Sequence, residues 1–292
     1  MRGFKFTIAL IVVSVFLCSA LNSTAGQDWD ELSSEHFIIY FTKDEKFAKN
    51  VLDKAEAYYR DIALELGYPR YSEFWMWAKR AKIYVYPDHN SYLKATGEAG
   101  WTHGIAVYKK KSIISYAWGK DFVESLLPHE MGHLIFREFV GFKGEIPLWL
   151  DEGVAQWSEK DKRKEMKSMA MDYYLESKFL LLGDMMTLDV NALSKNELLE
   201  LIMRPTKTPD DKDAILIITT DELVTTYYLQ GVSLVGFLIE MYGSNRFAEF
   251  CRQLRDGKDL EEALKFAYPT KIRNLEEFET SWRKYLSRLL IT

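Results

Sequence analysis

Two histidines four residues apart, His129 and His133, stand in the run Leu127-Pro128-His129-Glu130-Met131-Gly132-His133. On an α-helix a four-residue step turns about 40° and rises about 6 Å, so both imidazoles leave the same face. Imidazole nitrogens placed this way bind one Zn²⁺ at about 2.0–2.1 Å each. Glu130 sits roughly 100° round from His129 and 60° from His133. It borders the metal face without joining it, where a general base for an activated water belongs. A short motif of this kind also arises by chance on unrelated helices. Here the flanks Leu126, Leu127, Leu134, Ile135 and Phe136 are apolar, which suits a helix inside the protein. Buried imidazoles need partners, and a metal supplies them.

A catalytic zinc takes three protein ligands and leaves a fourth position for water. After 18 intervening residues, Glu152 follows His133 in the run Pro147-Leu148-Trp149-Leu150-Asp151-Glu152-Gly153. Gly141 and Gly144 let the chain turn back, and Pro147 suits the first turn of a helix. A returning helix brings Glu152 to the two histidines as the third ligand. Asp151 and Gln156 flank it as residues able to orient a ligand. Gln156, one turn beyond, reaches the same side, whereas Asp151 points elsewhere.

This spacing, with glutamate in a Trp-Leu-x-Glu-Gly setting, resembles the gluzincin metallopeptidases, and most closely the smaller bacterial peptidase MA-like domain proteins. The resemblance is strong over 127–157 and weaker over 225–243. It implies a zinc-dependent hydrolase, a metalloprotease acting on a peptide or protein substrate. His129, His133 and Glu152 would then be the metal ligands and Glu130 the general base. The segment Tyr227-Tyr228-Leu229-Gln230-Gly231 is similar to the Tyr-x-x-Gly segment of that family, which makes Tyr228 the hydrogen-bond donor to the oxyanion; a core tyrosine on an apolar helix is the alternative. Aminopeptidase-type members carry an acidic anchor for the substrate's amino terminus. The matching stretch here, Gly100-Trp101-Thr102-His103-Gly104, has no acid. Endopeptidase action is therefore favoured over aminopeptidase action, with His103 a candidate substrate contact or a surface histidine. The rival reading is a catalytically inactive, exported zinc-binding scaffold or envelope interaction protein. A structural zinc site normally closes with a fourth protein ligand, often cysteine.

The elements that must position these residues read as an α+β fold. A small, mostly antiparallel sheet is expected over about 36–118, with strands at 36–41, 82–86, 105–108 and 112–116. A helix with Phe47, Val51, Ala55, Tyr58, Ile62 and Leu66 on one side lies between the first two. Lys109–Lys111 reads as a solvated turn, and the strand 112–116 as an exposed edge that a substrate peptide could extend. From 121 the pattern is helical: metal-binding helices over about 121–157, then a C-terminal helical part over about 161–290. Helices are expected near 121–140, 148–157, 161–182, 195–203, 227–242, 244–256, 258–267 and 275–290.

Composition bounds the rest. The 292 residues are 48% hydrophobic and carry a formal net charge of −5, so a sizeable core is available and a nucleic-acid partner is disfavoured. Arg2 and Lys5 precede an apolar run from Thr7 to Leu17, followed by small residues up to Ala25. This reads as a signal peptide over 1–25, with one zincin-like peptidase domain over 26–292 and export to the periplasm or beyond the cell. An uncleaved membrane anchor and a lipid attached at Cys18 remain alternatives. The run is short of the ~20 residues a span needs, and Leu17 stands where a lipoprotein signal wants a small residue. Processing would leave no stable membrane span, and a lone Cys251 with no disulfide.

Overall fold

The computed structural model describes residues 28–68, 75–141, 146–193 and 201–290. The proposed signal peptide, Cys18 and Gly144 lie outside them. Within the described residues, 28–62 with 75–135 form one compact unit, and the remainder forms a second. The architecture is α+β, as the sequence pattern implies.

The first unit is built on a sheet of strands β1 (Asp30–Ser33), β2 (Phe37–Phe41), β3 (Ala81–Tyr86), β4 (Gly104–Val107) and β5 (Ser112–Tyr116), in the order β1-β2-β3-β5-β4. The sheet is mixed rather than mostly antiparallel. The outer pairs β1–β2 and β4–β5 are antiparallel, and the inner pairs β2–β3 and β3–β5 are parallel. Parallel neighbours need a crossover. The helix α1 (Glu45–Glu65) supplies one between β2 and β3. On α1, Val51, Ala55 and Ile62 are buried as the periodicity requires, as is Leu66 just past its end, but Ala48 and Tyr59 join them in place of half-buried Phe47 and Tyr58.

A short helix without an apolar stripe, α2 (His89–Thr96), is set by its ends. The Asp88 side chain accepts from the Ser91 N–H, and Gly97 takes a left-handed conformation at φ 72°. The lysine turn forms as expected, with Lys111 itself left-handed at φ 47°. β5 is not an exposed edge. It lies between β3 and β4 with all five residues buried, and the free edge on that side is β4.

The helix α3 (Leu127–Val140) follows a π-helical turn at Phe122–Leu126. In an α-turn the ring of Pro128 would meet the carbonyl of Glu124; the wider π turn just before it avoids that clash. α3 ends in the second unit, which holds α4 (Leu148–Ser158), α5 (Arg163–Leu175), α6 (Leu182–Thr187), α7 (Val190–Leu193), α8 (Thr220–Tyr242), α9 (Ser244–Arg255), α10 (Leu260–Ala267) and α11 (Leu275–Leu289).

α8 is the centre of this unit. It is long and apolar enough to cross a bilayer, yet 78% of its most apolar window is buried inside protein, so it serves as a core helix. A capping box starts it seven residues earlier than its apolar run suggests: the Thr219 hydroxyl accepts from the Glu222 N–H, and the Glu222 carboxylate accepts from the Thr219 N–H. α4 lies against α8 at backbone contact. A Cβ on Gly153 would fall 2.6 Å from the Gly231 carbonyl oxygen, and one on Gly231 would fall 2.9 Å from that of Trp149.

Two expected helices differ. The one expected at 161–182 stops at Leu175, because Ser177 turns left-handed at φ 58°. The chain then runs extended, and Gln230 of α8 bonds both backbone groups of Leu180, at 3.1 Å to the N–H and 2.8 Å to the carbonyl. The described part of the helix expected at 195–203 is a strand instead. β6 (Leu201–Lys207) pairs antiparallel with β7 (Asp213–Thr219). The run Ile215-Leu216-Ile217-Ile218, with three β-branched isoleucines, supplies a partner that overrides the local helical pattern, and Pro205 is tolerated because β6 is an edge.

Candidate metal centre

α3 carries the histidines on a helix whose other residues are mostly core: Leu127, Met131, Leu134, Ile135, Phe136 and Val140 are buried. His129 and His133 are themselves at 3% and 0% exposure, with Glu130 at 0%. Their ring centroids lie 5.0 Å apart and the ring planes meet at 78°. Tyr108 meets the edge of His133 at 6.2 Å. The negative charge of Glu130 contributes, after burial and a neighbouring glutamate, to holding the Tyr92 hydroxyl protonated.

α4 carries the third candidate ligand. Its N-cap is Pro147 in an extended conformation, and Trp149, Leu150, Glu152 and Val154 are all buried. Glu152 faces α8. Burial raises the pKa of the Tyr228 hydroxyl, and the charge of Glu152 raises it further. Tyr227 is raised by the same two causes, offset in part by a backbone hydrogen bond at Trp149. Both hydroxyls therefore stay protonated throughout the physiological pH range, as hydrogen-bond donors must.

An ion pair absent from the sequence reading fixes α4 relative to the last turn of α3. Arg137 donates from Nε and Nη2 to Asp151 Oδ2, at 3.0 and 2.7 Å. Arg137 is one helical turn beyond His133, and Asp151 is the residue before Glu152. Both residues of the pair belong to the second unit, where it sets α4 against the last turn of α3. One ligand atom from each of His129, His133 and Glu152 lies within 4.8 Å of the others. Two imidazoles and a carboxylate converging at this scale form a donor set that fits a tetrahedral zinc with one position left over.

Replacing Arg137 by methionine leaves the Asp151 side chain, 4% exposed, without this cation. Loss of one partner of a buried pair costs about 3–5 kcal/mol. We expect a stability loss near the lower bound by denaturant titration, because the arginine itself is 18% exposed. Adding Asp151→Asn should restore part of it; an unchanged midpoint for Arg137→Met would mean that the pair does not support α4.

Of the remaining candidates, His103 is built into an aromatic stack. Its Nδ1 is 2.7 Å from the Tyr116 hydroxyl, and its ring lies 4.7 Å from Trp118 and 5.4 Å from His89. Burial lowers its pKa, and the neighbouring His89 lowers it further. Gln156 is only partly buried on α4. Cys251 is a buried free cysteine beside Tyr68 and behaves as core. The Arg137–Asp151 pair left a trace in the sequence, an arginine four residues after the second histidine and an acid directly before Glu152, but ion pairing between separate helices cannot be read from spacing alone. Comparison with family models and with curated proteins returns no match, so the assignment of this centre rests on the chain's own residues.

Proposed function

We propose that this chain is an exported zinc metallopeptidase of the gluzincin type. The observation that carries the proposal is that one ligand atom from each of His129, His133 and Glu152 lies within 4.8 Å of the others, with Glu130 adjoining the first of them in sequence. Zinc bound there would polarise the scissile carbonyl and lower the pKa of water from about 15.7 toward 7. The residues of the chain supply the rest. Glu130 takes the proton of the attacking water and hands it to the leaving amine. Tyr228, kept protonated by burial and by Glu152, donates a hydrogen bond to the developing oxyanion. An extended substrate would add along the free edge of β4 rather than along β5.

The very low exposure of the three ligands and of Glu130 favours a second reading, the zinc-binding scaffold without turnover. Hydrolysis separates the two. The proposal expects internal cleavage of peptides blocked at both ends, lost on chelation and restored by zinc, with little release from single amino-acid amides because Gly100–Gly104 offers no acidic anchor. Rapid release from amides with blocked peptides left intact would reverse the endopeptidase assignment. Zinc binding with no hydrolysis of a broad library of blocked peptides would favour the scaffold.

A further inference from the structure

The β6–β7 hairpin presents apolar side chains on both of its faces, and among the described residues only one face has a partner. On the inner face Thr206, Leu216 and Ile218 are buried, and the Thr206 hydroxyl donates to the Phe179 carbonyl. Arg283 bonds the Lys207 carbonyl at 3.3 Å, and Tyr174 that of Pro209 at 3.2 Å. The hairpin is therefore held firmly on the second unit. On the outer face Leu201, Met203, Ile215 and Ile217 are 75%, 68%, 65% and 63% exposed. Met203 is paired across the strands with Ile217, and Pro205 with Ile215. Four such side chains form an apolar patch on the order of 500 Å², at the upper end of what a monomer leaves open.

We propose that this face is a self-association surface, joining two copies of the chain hairpin to hairpin about a two-fold axis that runs along the strands. The register carries the argument. Rotation about that axis lays each strand over the other strand of the second copy. Met203 then covers Ile217 of the other copy, Pro205 covers Ile215, and Lys207, whose ammonium also bonds Asp211 of its own chain at 2.8 Å, covers Asp213, the pair that closes the hairpin. The face is thus complementary to itself in charge as well as in polarity, as an isologous interface requires. A bilayer surface fits less well, because the tip carries Asp210, Asp211 and Asp213 against Lys207 and Lys212, and anionic lipid repels that excess. Two patches together remove about 1,000 Å² from water, the size of a weak, reversible dimer.

Sedimentation velocity of the full chain between about 1 and 300 μM tests this, with a monomer–dimer transition expected in the tens of micromolar. Met203→Glu with Ile217→Glu should weaken association at least about 10-fold with the melting temperature unchanged. Association driven by the apolar segment 7–17 would instead survive in that variant and overturn the proposal. Lys207→Asp alone sets two acids against two acids in the dimer, and Asp213→Lys alone sets two lysines against two lysines. Each should associate more weakly than the wild type, and an equimolar mixture should recover heterodimer with both charge pairs restored. A wild type that stays monomeric at the highest concentration, with or without binding to vesicles of anionic phospholipid, would overturn the proposal, as would a mixture no stronger than its components.

Discussion

Replacing Glu130 by glutamine is expected to cut peptide hydrolysis by at least about 10²-fold while leaving zinc content and melting temperature unchanged. The substitution keeps the size of a side chain that has no solvent exposure, so packing around it is preserved. It removes the basic carboxylate, which is the only property the proposed chemistry asks of this residue. On the helix Glu130 is turned well away from the direction shared by His129 and His133, so the metal ligands are untouched. Zinc lost together with activity would make Glu130 a ligand. Undiminished hydrolysis would assign the activity to another site.

The second large effect concerns the ligands. His133→Ala and Glu152→Ala should each lower zinc from about one per chain to a small fraction of that, measured on protein dialysed against a buffered zinc solution. With one ligand gone, a three-donor site is reduced to two donors, too few for a catalytic zinc site. The two variants test different elements. His133 sits on α3 among core residues of the same helix, whereas Glu152 depends on α4 being held by the Arg137–Asp151 pair and by the contact of Gly153 with Gly231. Full zinc content in both variants would end the ligand assignment. Zinc should also raise the melting temperature of the wild type by mass action and leave the two variants unmoved.

The histidine pair was legible because local geometry suffices for it, whereas Glu152, on a separate helix, was read from its distance along the chain and from a family resemblance. A four-residue step on a helix defines the histidine pair without reference to the rest of the fold. The strands at 37–41, 81–86, 104–107 and 112–116 and the helices after 240 were legible within a few residues for the same reason: each has a period of its own. What escaped depends on contacts distant in sequence. The parallel pairing of β3 with both β2 and β5 cannot be read from strands whose alternation suits either direction. Leu201 to Met203, read as the end of a helix over 195–203, lie in a strand because Asp213 to Thr219 offers a partner. The early start of α8 was written in Thr219 and Glu222, but the β-branched residues around them masked the signal. Tyr228 depended on a family resemblance; only the fold reveals that Tyr227 beside it feels Glu152 as well.

The most direct test of the central claim is zinc X-ray absorption on the purified, enzymatically untreated chain. The proposal predicts a four-coordinate zinc whose first shell holds only nitrogen and oxygen at about 2.0–2.2 Å, with multiple scattering from two imidazoles and no sulfur at about 2.3 Å. The same spectrum should persist in Glu130→Gln, whereas Glu152→Ala should retain too little zinc to give it. A first shell with sulfur, a shell of water oxygens without imidazole scattering, or a spectrum unchanged in Glu152→Ala would contradict it.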